Sequence, residues 1–130
     1  MMNKILKQLI TCDTKLFELI HSFIAAAWGF ILILPSDSFS TTKTFSVMSQ
    51  IAPEFFWGLV PLLIVIVHLI FIESKIVRKI CIMALALFWL CVTFSVFFAN
   101  SLSTATASYA GYFLLSIIRY LRVGGRDAKW

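Results

Sequence analysis

The sequence predicts an all-α polytopic membrane protein, a compact bundle of four transmembrane helices with both termini in the cytoplasm. Of its 130 residues, 61% are apolar and only 13% are charged, and the mean hydropathy is +0.96. A water-soluble domain needs more polar residues to cover its surface, because large exposed apolar patches drive association. Long apolar runs and a one-sided distribution of cations complete the prediction.

Four apolar runs define one transmembrane domain over residues 1–130. Each run holds roughly 18 to 20 residues, which at about 1.5 Å per residue matches a hydrocarbon core about 30 Å thick. Inside lipid the backbone must satisfy its own hydrogen bonds, and unbroken apolar runs favour helices over the alternating strands of a barrel. The predicted spans cover residues 16–34, 55–72, 80–99 and 102–121.

Lysine and arginine predict the orientation of the bundle. Ten of the 11 lie in the N-terminal segment, the second connection or the C-terminal end, whereas the first connection has only Lys43 and the third has none. Because cations accumulate on the cytoplasmic side of a membrane, both termini are expected there, as an even number of spans also requires. The ten are Lys4, Lys7, Lys15, Lys75, Arg78, Lys79, Arg119, Arg122, Arg126 and Lys129.

The first connection, residues 35–54, is the only long one and is expected on the outer side. Apolar residues around Met48 have the spacing of a short helix lying on the outer membrane surface. Pro53 and Glu54 suit the first turn of the second span, because proline lacks an amide hydrogen and a carboxylate meets the positive end of the helix dipole. Trp57 is then expected at the outer interface.

Four polar side chains within the spans form a candidate intramembrane cluster. Glu18 and His21 in the first span, His68 in the second and Arg119 in the fourth all fall in the cytoplasmic third. A lone ion in hydrocarbon is costly, so we expect Glu18 to pair with Arg119, with the histidines hydrogen-bonded nearby. A purely interfacial role stays open, since Glu18 and Arg119 lie close enough to the surface to reach water.

Small residues recur at helical spacing and predict the faces through which the helices pack. They let backbones approach closely, which is how helices associate where the hydrophobic effect gives no help. The predicted faces comprise Ser22, Ala25 and Gly29 in the first span, Gly58 in the second, and Ser103, Ala107, Ser108 and Gly111 in the fourth.

The sequence predicts no catalytic, cofactor-binding or metal site. Glu18 and His21 supply half of a di-metal carboxylate motif, but the spans hold neither a second copy nor two further carboxylates. Nucleophile elbows, phosphate loops and HExxH are absent. The net charge of +5 comes without a basic stripe interleaved with aromatic residues, which argues against nucleic acid. The expected partners are the lipid bilayer and either further copies of the chain or a larger membrane protein.

One stretch resembles a known group of proteins. Residues 52–58 (Ala-Pro-Glu-Phe-Phe-Trp-Gly), together with Thr44-Phe45, residues 100–105 (Asn-Ser-Leu-Ser-Thr-Ala) and Tyr109, are similar to small polytopic membrane proteins encoded by bacteriophages and prophages, which share an APExxWG-type segment. The similarity covers about residues 40–121. It implies a viral gene product in the host inner membrane, and the group carries no assigned activity.

Three functions compete at this point. The first is assembly in the host membrane, either as a holin-like lesion former or as a factor that alters the envelope and excludes superinfecting phage. The second is a small proton-coupled transporter in which Glu18 alternates between a proton and a cationic substrate, similar in outline to the small multidrug exporters. The long first connection and the position of Glu18 near its helix end depart from that group. The third is an accessory subunit of a larger membrane complex.

Overall fold

A computed structural model describes residues 14–35, 37–100 and 102–124, and over these ranges the protein is helical and contains no strand. The long helices are α1 (Thr14–Ile33), α4 (Glu54–Ile70), α5 (Lys75–Asn100) and α6 (Thr104–Gly124). Between α1 and α4 lie α2 (Ser38–Thr41), a 3₁₀ turn (Lys43–Phe45) and α3 (Ser46–Ile51). The predicted all-α class is confirmed, and each predicted span overlaps one long helix, with ends that differ by one to five residues.

The long helices alternate in direction. Glu18 near the start of α1 contacts His68 near the end of α4, whereas Gly29, further along α1, meets Gly58 near the start of α4. The contacts between α1 and α5 advance in the same direction along both helices, so these two helices are parallel. The contacts between α1 and α6 advance in opposite directions, so these two helices are antiparallel. The start of α1 and the end of α6 therefore lie at one end of the bundle, called here the charged end because it holds Glu18, His68 and Arg119.

Two of the described helices are long and apolar enough to cross a membrane: α1, through Leu16–Ile33, and α5, through Lys75–Asn100. A third candidate arises if the segment Lys43–Ile51 and α4 are taken as one broken span, although the two are bent by 81°.

The polarity of the fold is the reverse of that of a water-soluble domain. Phe23 and Phe98 are each 73% exposed on the outside of the long helices, while Glu18 and His68 inside the bundle are each only 1% exposed. Apolar solvent around the helices makes this arrangement favourable, since it covers the phenyl rings and leaves the ionisable groups to bind one another. The structure is that of a helical protein in which α1 and α5 are long and apolar enough to span a membrane.

Helices α1 and α4 cross at Gly29 and Gly58. A Cβ atom built on either glycine would lie 2.6 Å from the carbonyl oxygen of the other, which no real side chain tolerates. Pro61, buried within α4, flanks the same crossing. The two backbones touch here because neither residue has a side chain.

The first connection folds back onto the bundle, where α3 and the 3₁₀ turn pack against α5. Met48 is fully buried, and its carbonyl oxygen accepts a hydrogen bond from Trp57 Nε1 at 3.1 Å. The Glu54 carboxylate accepts hydrogen bonds from the amides of Ser38 and Phe39 at 3.2 and 3.3 Å. The expected short helix is present as α3, but it packs on the bundle with Met48 buried, and Trp57 is buried beside Phe88 of α5. The positions of both relative to the membrane surface stay predictions.

Candidate functional site

The centre of the candidate site is an ion pair between α1 and α5. Arg78 donates from Nη2 to Glu18 Oε1 at 2.5 Å and from Nε to Glu18 Oε2 at 3.0 Å. Both side chains are buried, Glu18 almost completely. A bidentate ion pair of this kind fixes the relative position of the guanidinium and carboxylate groups. Each charge also compensates the other where water is excluded.

His68 on α4 completes the surroundings of the carboxylate. Its Nε2 lies 3.2 Å from Glu18 Oε2. Because an ionised carboxylate only accepts hydrogen bonds, Nε2 must carry the proton and donate it. The other ring nitrogen, Nδ1, is buried and has no hydrogen-bond partner among the described residues. Glu18 thus joins three of the four long helices through its two oxygen atoms.

A second set of contacts links α1 to α6 beside the ion pair. Arg119 Nη1 donates to His21 Nδ1 at 2.5 Å, which places the imidazole proton on Nε2 because arginine has no acceptor. His21 Nε2 lies 3.4 Å from Ser116 Oγ, whose hydroxyl donates to the Tyr112 carbonyl oxygen at 2.9 Å. Because the guanidinium can only donate, it fixes the direction of this series of hydrogen bonds: Arg119 donates to His21, His21 donates to the Ser116 hydroxyl, and Ser116 donates to the Tyr112 carbonyl oxygen.

The charges of the described cluster do not cancel. Glu18 carries one negative charge and Arg78 and Arg119 one positive charge each, while His21 accepts from Arg119 as a neutral ring. Two of the three nitrogens of the Arg119 guanidinium, Nε and Nη2, are buried and have no hydrogen-bond partner in the part of the chain that the structure describes. The cluster therefore has an excess positive charge, located at Arg119.

The structure places all four predicted cluster residues at the charged end, but the direct partners differ from those expected. Glu18 was expected to pair with Arg119 and instead binds Arg78 and His68, while Arg119 contacts His21. Sequence reasoning missed Arg78, which it counted only as a cation that flanks a span. Arg78 is one turn inside α5 and only 7% exposed, so it belongs to the bundle interior.

An aromatic layer lies next to the cluster, towards the middle of the bundle. Trp89 is fully buried and stacks on Tyr109, with ring centroids 5.8 Å apart and an interplanar angle of 13°. Trp28 meets Trp89 edge to face and donates from Nε1 to the Tyr109 hydroxyl at 3.2 Å. The rings fill the core and separate the charged end from the opposite end.

The predicted packing faces have different fates. Ser22, Ala25 and Gly29 are buried in α1, as is Gly58 in α4. Ser103, immediately before α6, accepts a hydrogen bond at Oγ from the amide of Thr106 and so caps the helix. Ala107 and Ser108 are exposed, and a Cβ on Gly111 would meet no atom within 4 Å. The faces of α1 and α4 are thus used within the chain, whereas that of α6 is open.

Helices α1 and α6 enclose a groove that opens on the outside of the bundle. Its half near the charged end has a volume of about 310 Å³ and is lined by Glu18, His21, Arg119 and Arg122 together with apolar side chains. Its other half, about 470 Å³, is lined mostly by aromatic and small residues. Within the described ranges, no three His, Cys, Asp or Glu side chains are grouped so that they could hold a metal ion.

Comparison with known proteins adds no relative to this geometry. No family model, no curated protein and no solved structure matches the chain. The resemblance to phage-encoded membrane proteins stays a prediction.

Proposed function

We propose that this chain is a non-enzymatic protein of the bacterial inner membrane that crosses the bilayer four times and acts by assembling with copies of itself. The four long helices have 20, 17, 26 and 21 residues. At 1.5 Å per residue these lengths correspond to about 30, 26, 39 and 32 Å, each close to the thickness of a hydrocarbon core. Their alternating directions support four passes.

The distribution of charge supports an orientation with the charged end in the cytoplasm. Lys75, Lys79 and Arg122 lie at this end, and Lys43 lies in the connection at the opposite end. Cations near the ends of spans favour the cytoplasmic side, so both termini are assigned to it. Lys4, Lys7, Arg126 and Lys129, which contribute to the same prediction, lie outside the described residues.

The open face of α6 is the observation that carries the proposed assembly. Ala107, Ser108 and Gly111 form a strip in which the first two residues are exposed and a Cβ atom on Gly111 would meet no described atom within 4 Å. Glycine inside a helix costs about 1 kcal/mol relative to alanine, and close contact with another backbone is the usual reason for keeping it in a membrane helix. A second copy of the chain fits this requirement with the same strip on its own α6.

Two biological roles are compatible with assembly, a holin-like lesion and an alteration of the envelope that excludes superinfecting phage. The described bundle buries the Glu18–Arg78 ion pair and presents apolar side chains outwards, so a single copy offers no water-filled path across the membrane. A lesion therefore requires several copies that surround a water-filled path, and envelope alteration is proposed to depend on the assembled form in the same way.

The geometry weighs against the transporter hypothesis. A carboxylate that exchanges a proton for a cationic substrate must be free of a permanent counter-ion. Glu18, however, accepts hydrogen bonds from both Nε and Nη2 of Arg78. Efflux in proteoliposomes that depends on a proton gradient and disappears in Glu18→Gln would favour the transporter.

The mass of the detergent-solubilised particle tests the assembly. We expect the wild-type protein to give a multiple of 14.8 kDa after subtraction of detergent, and Gly111→Leu to give the monomer. Cys91→Leu is the matched control, because Cys91 is also small and exposed but lies on α5. A monomeric wild-type particle contradicts the proposal, and a stoichiometric unrelated protein in it favours the accessory-subunit hypothesis.

Expression in bacterial cells tests the role. A lesion former should collapse the membrane potential, and an exclusion factor should block a second infection while growth continues. Either effect should be lost in Gly111→Leu and kept in Cys91→Leu. A wild-type protein that is inserted in the membrane and has neither effect contradicts both roles.

A further inference from the structure

The half of the α1–α6 groove near the charged end combines an apolar wall with two arginines. Ile20 on α1 and Leu115 and Ile118 on α6 line the wall, and each is about half exposed. Arg119 and Arg122, three residues apart and so on one side of α6, line the end of the groove. The groove is therefore amphipathic along its length, with cations where α6 ends.

Arg119 is prepared for an anion that no described residue supplies. Its side chain is more than nine-tenths buried, its Nε and Nη2 are unpartnered among the described residues, and its Nη1 is engaged by a neutral histidine. Among the described residues, the carboxylate near Arg119 is that of Glu18, which is already committed to Arg78. A buried guanidinium with two free donors matches the oxygen atoms of a phosphate group, which it binds through two parallel hydrogen bonds.

We propose that this groove binds an anionic phospholipid of the cytoplasmic leaflet. Its phosphate is attracted by the charges of Arg119 and Arg122, and the Arg119 side chain must turn to bring its covered Nε and Nη2 donors onto the phosphate oxygen atoms. An acyl chain then lies along Ile20, Leu115 and Ile118. Lipid is the source we commit to, because the groove opens on the outside of the bundle and its exposed apolar wall continues from the arginines towards the middle of helices α1 and α6. The inference rests on the proposed orientation but not on self-assembly.

Native mass spectrometry of the detergent-solubilised protein tests the site. Phosphatidylglycerol is titrated in, with phosphatidylcholine and inorganic phosphate in parallel. We expect phosphatidylglycerol to bind at least about fivefold more tightly than phosphatidylcholine, and Arg122→Gln to remove about fivefold of that affinity, the contribution of one cation near a membrane surface. Ile20→Trp, which fills the apolar wall and leaves every charge in place, should weaken both lipids.

Lys75→Gln is the matched control, because Lys75 is an exposed cation at the same end of the bundle that does not line the groove. Arg119→Lys changes the proposed phosphate-binding side chain itself, but it also alters the contact with His21. The test therefore relies on Arg122→Gln and Ile20→Trp. Equal binding of the two lipids, or an equal loss in Lys75→Gln, overturns the proposal. Displacement of the lipid by millimolar inorganic phosphate also overturns it and identifies free phosphate as the ligand. A changed particle mass in Gly111→Leu has no bearing on these outcomes, so the two proposals fail separately.

Discussion

Glu18 and Arg78, 60 residues apart in the chain, are joined by two hydrogen bonds inside the bundle. We expect Glu18→Gln or Arg78→Gln to lower the free energy of unfolding by about 3–5 kcal/mol, because each change leaves one buried charge uncompensated. Thermal unfolding in detergent measures the loss. Lys75→Gln, which removes an exposed cation at the same end of the bundle, should change the free energy of unfolding by no more than about 0.5 kcal/mol.

The double variant Glu18→Gln, Arg78→Gln distinguishes a specific pair from two independent burial effects. Because the second substitution removes the charge that the first one strands, its effect should be smaller in combination than alone, by roughly 0.5–3 kcal/mol. Strict additivity of the two single losses would contradict the bidentate pair.

The glycines at the α1–α4 crossing and on α6 should respond to alanine in opposite ways. Gly29→Ala should destabilise the bundle, because its new methyl group would lie 2.6 Å from the Gly58 carbonyl oxygen and force the helices apart. Gly111→Ala meets no atom within 4 Å and should raise monomer stability by up to about 1 kcal/mol through helix propensity. Unfolding of both variants under matched detergent conditions checks this, and equal responses would show that the crossing is looser than described.

The hydrogen bond from Trp57 to the Met48 carbonyl should control how tightly the first connection lies on the bundle. Trp57→Phe removes this bond, which is worth about 1 kcal/mol, and should raise the population of the open connection about fivefold. Trypsin cleavage after Lys43, which is exposed in the 3₁₀ turn, reports that opening.

Trp28→Phe is the control for the same measurement. It removes the bond to Tyr109 in the aromatic layer and leaves the connection untouched, so cleavage after Lys43 should proceed at the wild-type rate. If both variants are cut faster by the same factor, cleavage follows global unfolding and the local role of Trp57 is refuted.

Apolar run length predicted the helices well, but it could not predict which side chains meet. Helix α5 begins at Lys75, five residues before the predicted span, because lysine and arginine are good helix formers, whereas hydropathy marks only the apolar part of a helix. A hydropathy pattern scores Arg78 as a boundary marker, since nothing in the local sequence shows that Glu18 lies opposite. Ser116, whose hydroxyl contacts His21, lies within an apolar run, and the hydropathy pattern gives no sign of that contact.

The spacing of small residues could not distinguish helix faces that pack within the chain from a face that is left open. Gly29, Gly58 and Gly111 look alike in sequence, because each lies in a span with other small residues at helical intervals. The tertiary structure separates them: the first two touch each other, and the third faces outwards. Which face is used within the chain depends on how the four helices are arranged around the buried ion pair, and that arrangement is set by contacts distant in sequence.

The most direct test of the proposed four-pass topology is cysteine labelling in intact cells, starting from a variant without native cysteines. Ser40→Cys places a thiol in the exposed first connection, and Glu73→Cys places one in the turn between α4 and α5. We expect a membrane-impermeant maleimide to label position 40 in intact cells and position 73 only after the inner membrane is opened. Labelling of both positions from outside, or of position 73 alone, would contradict the four-pass topology.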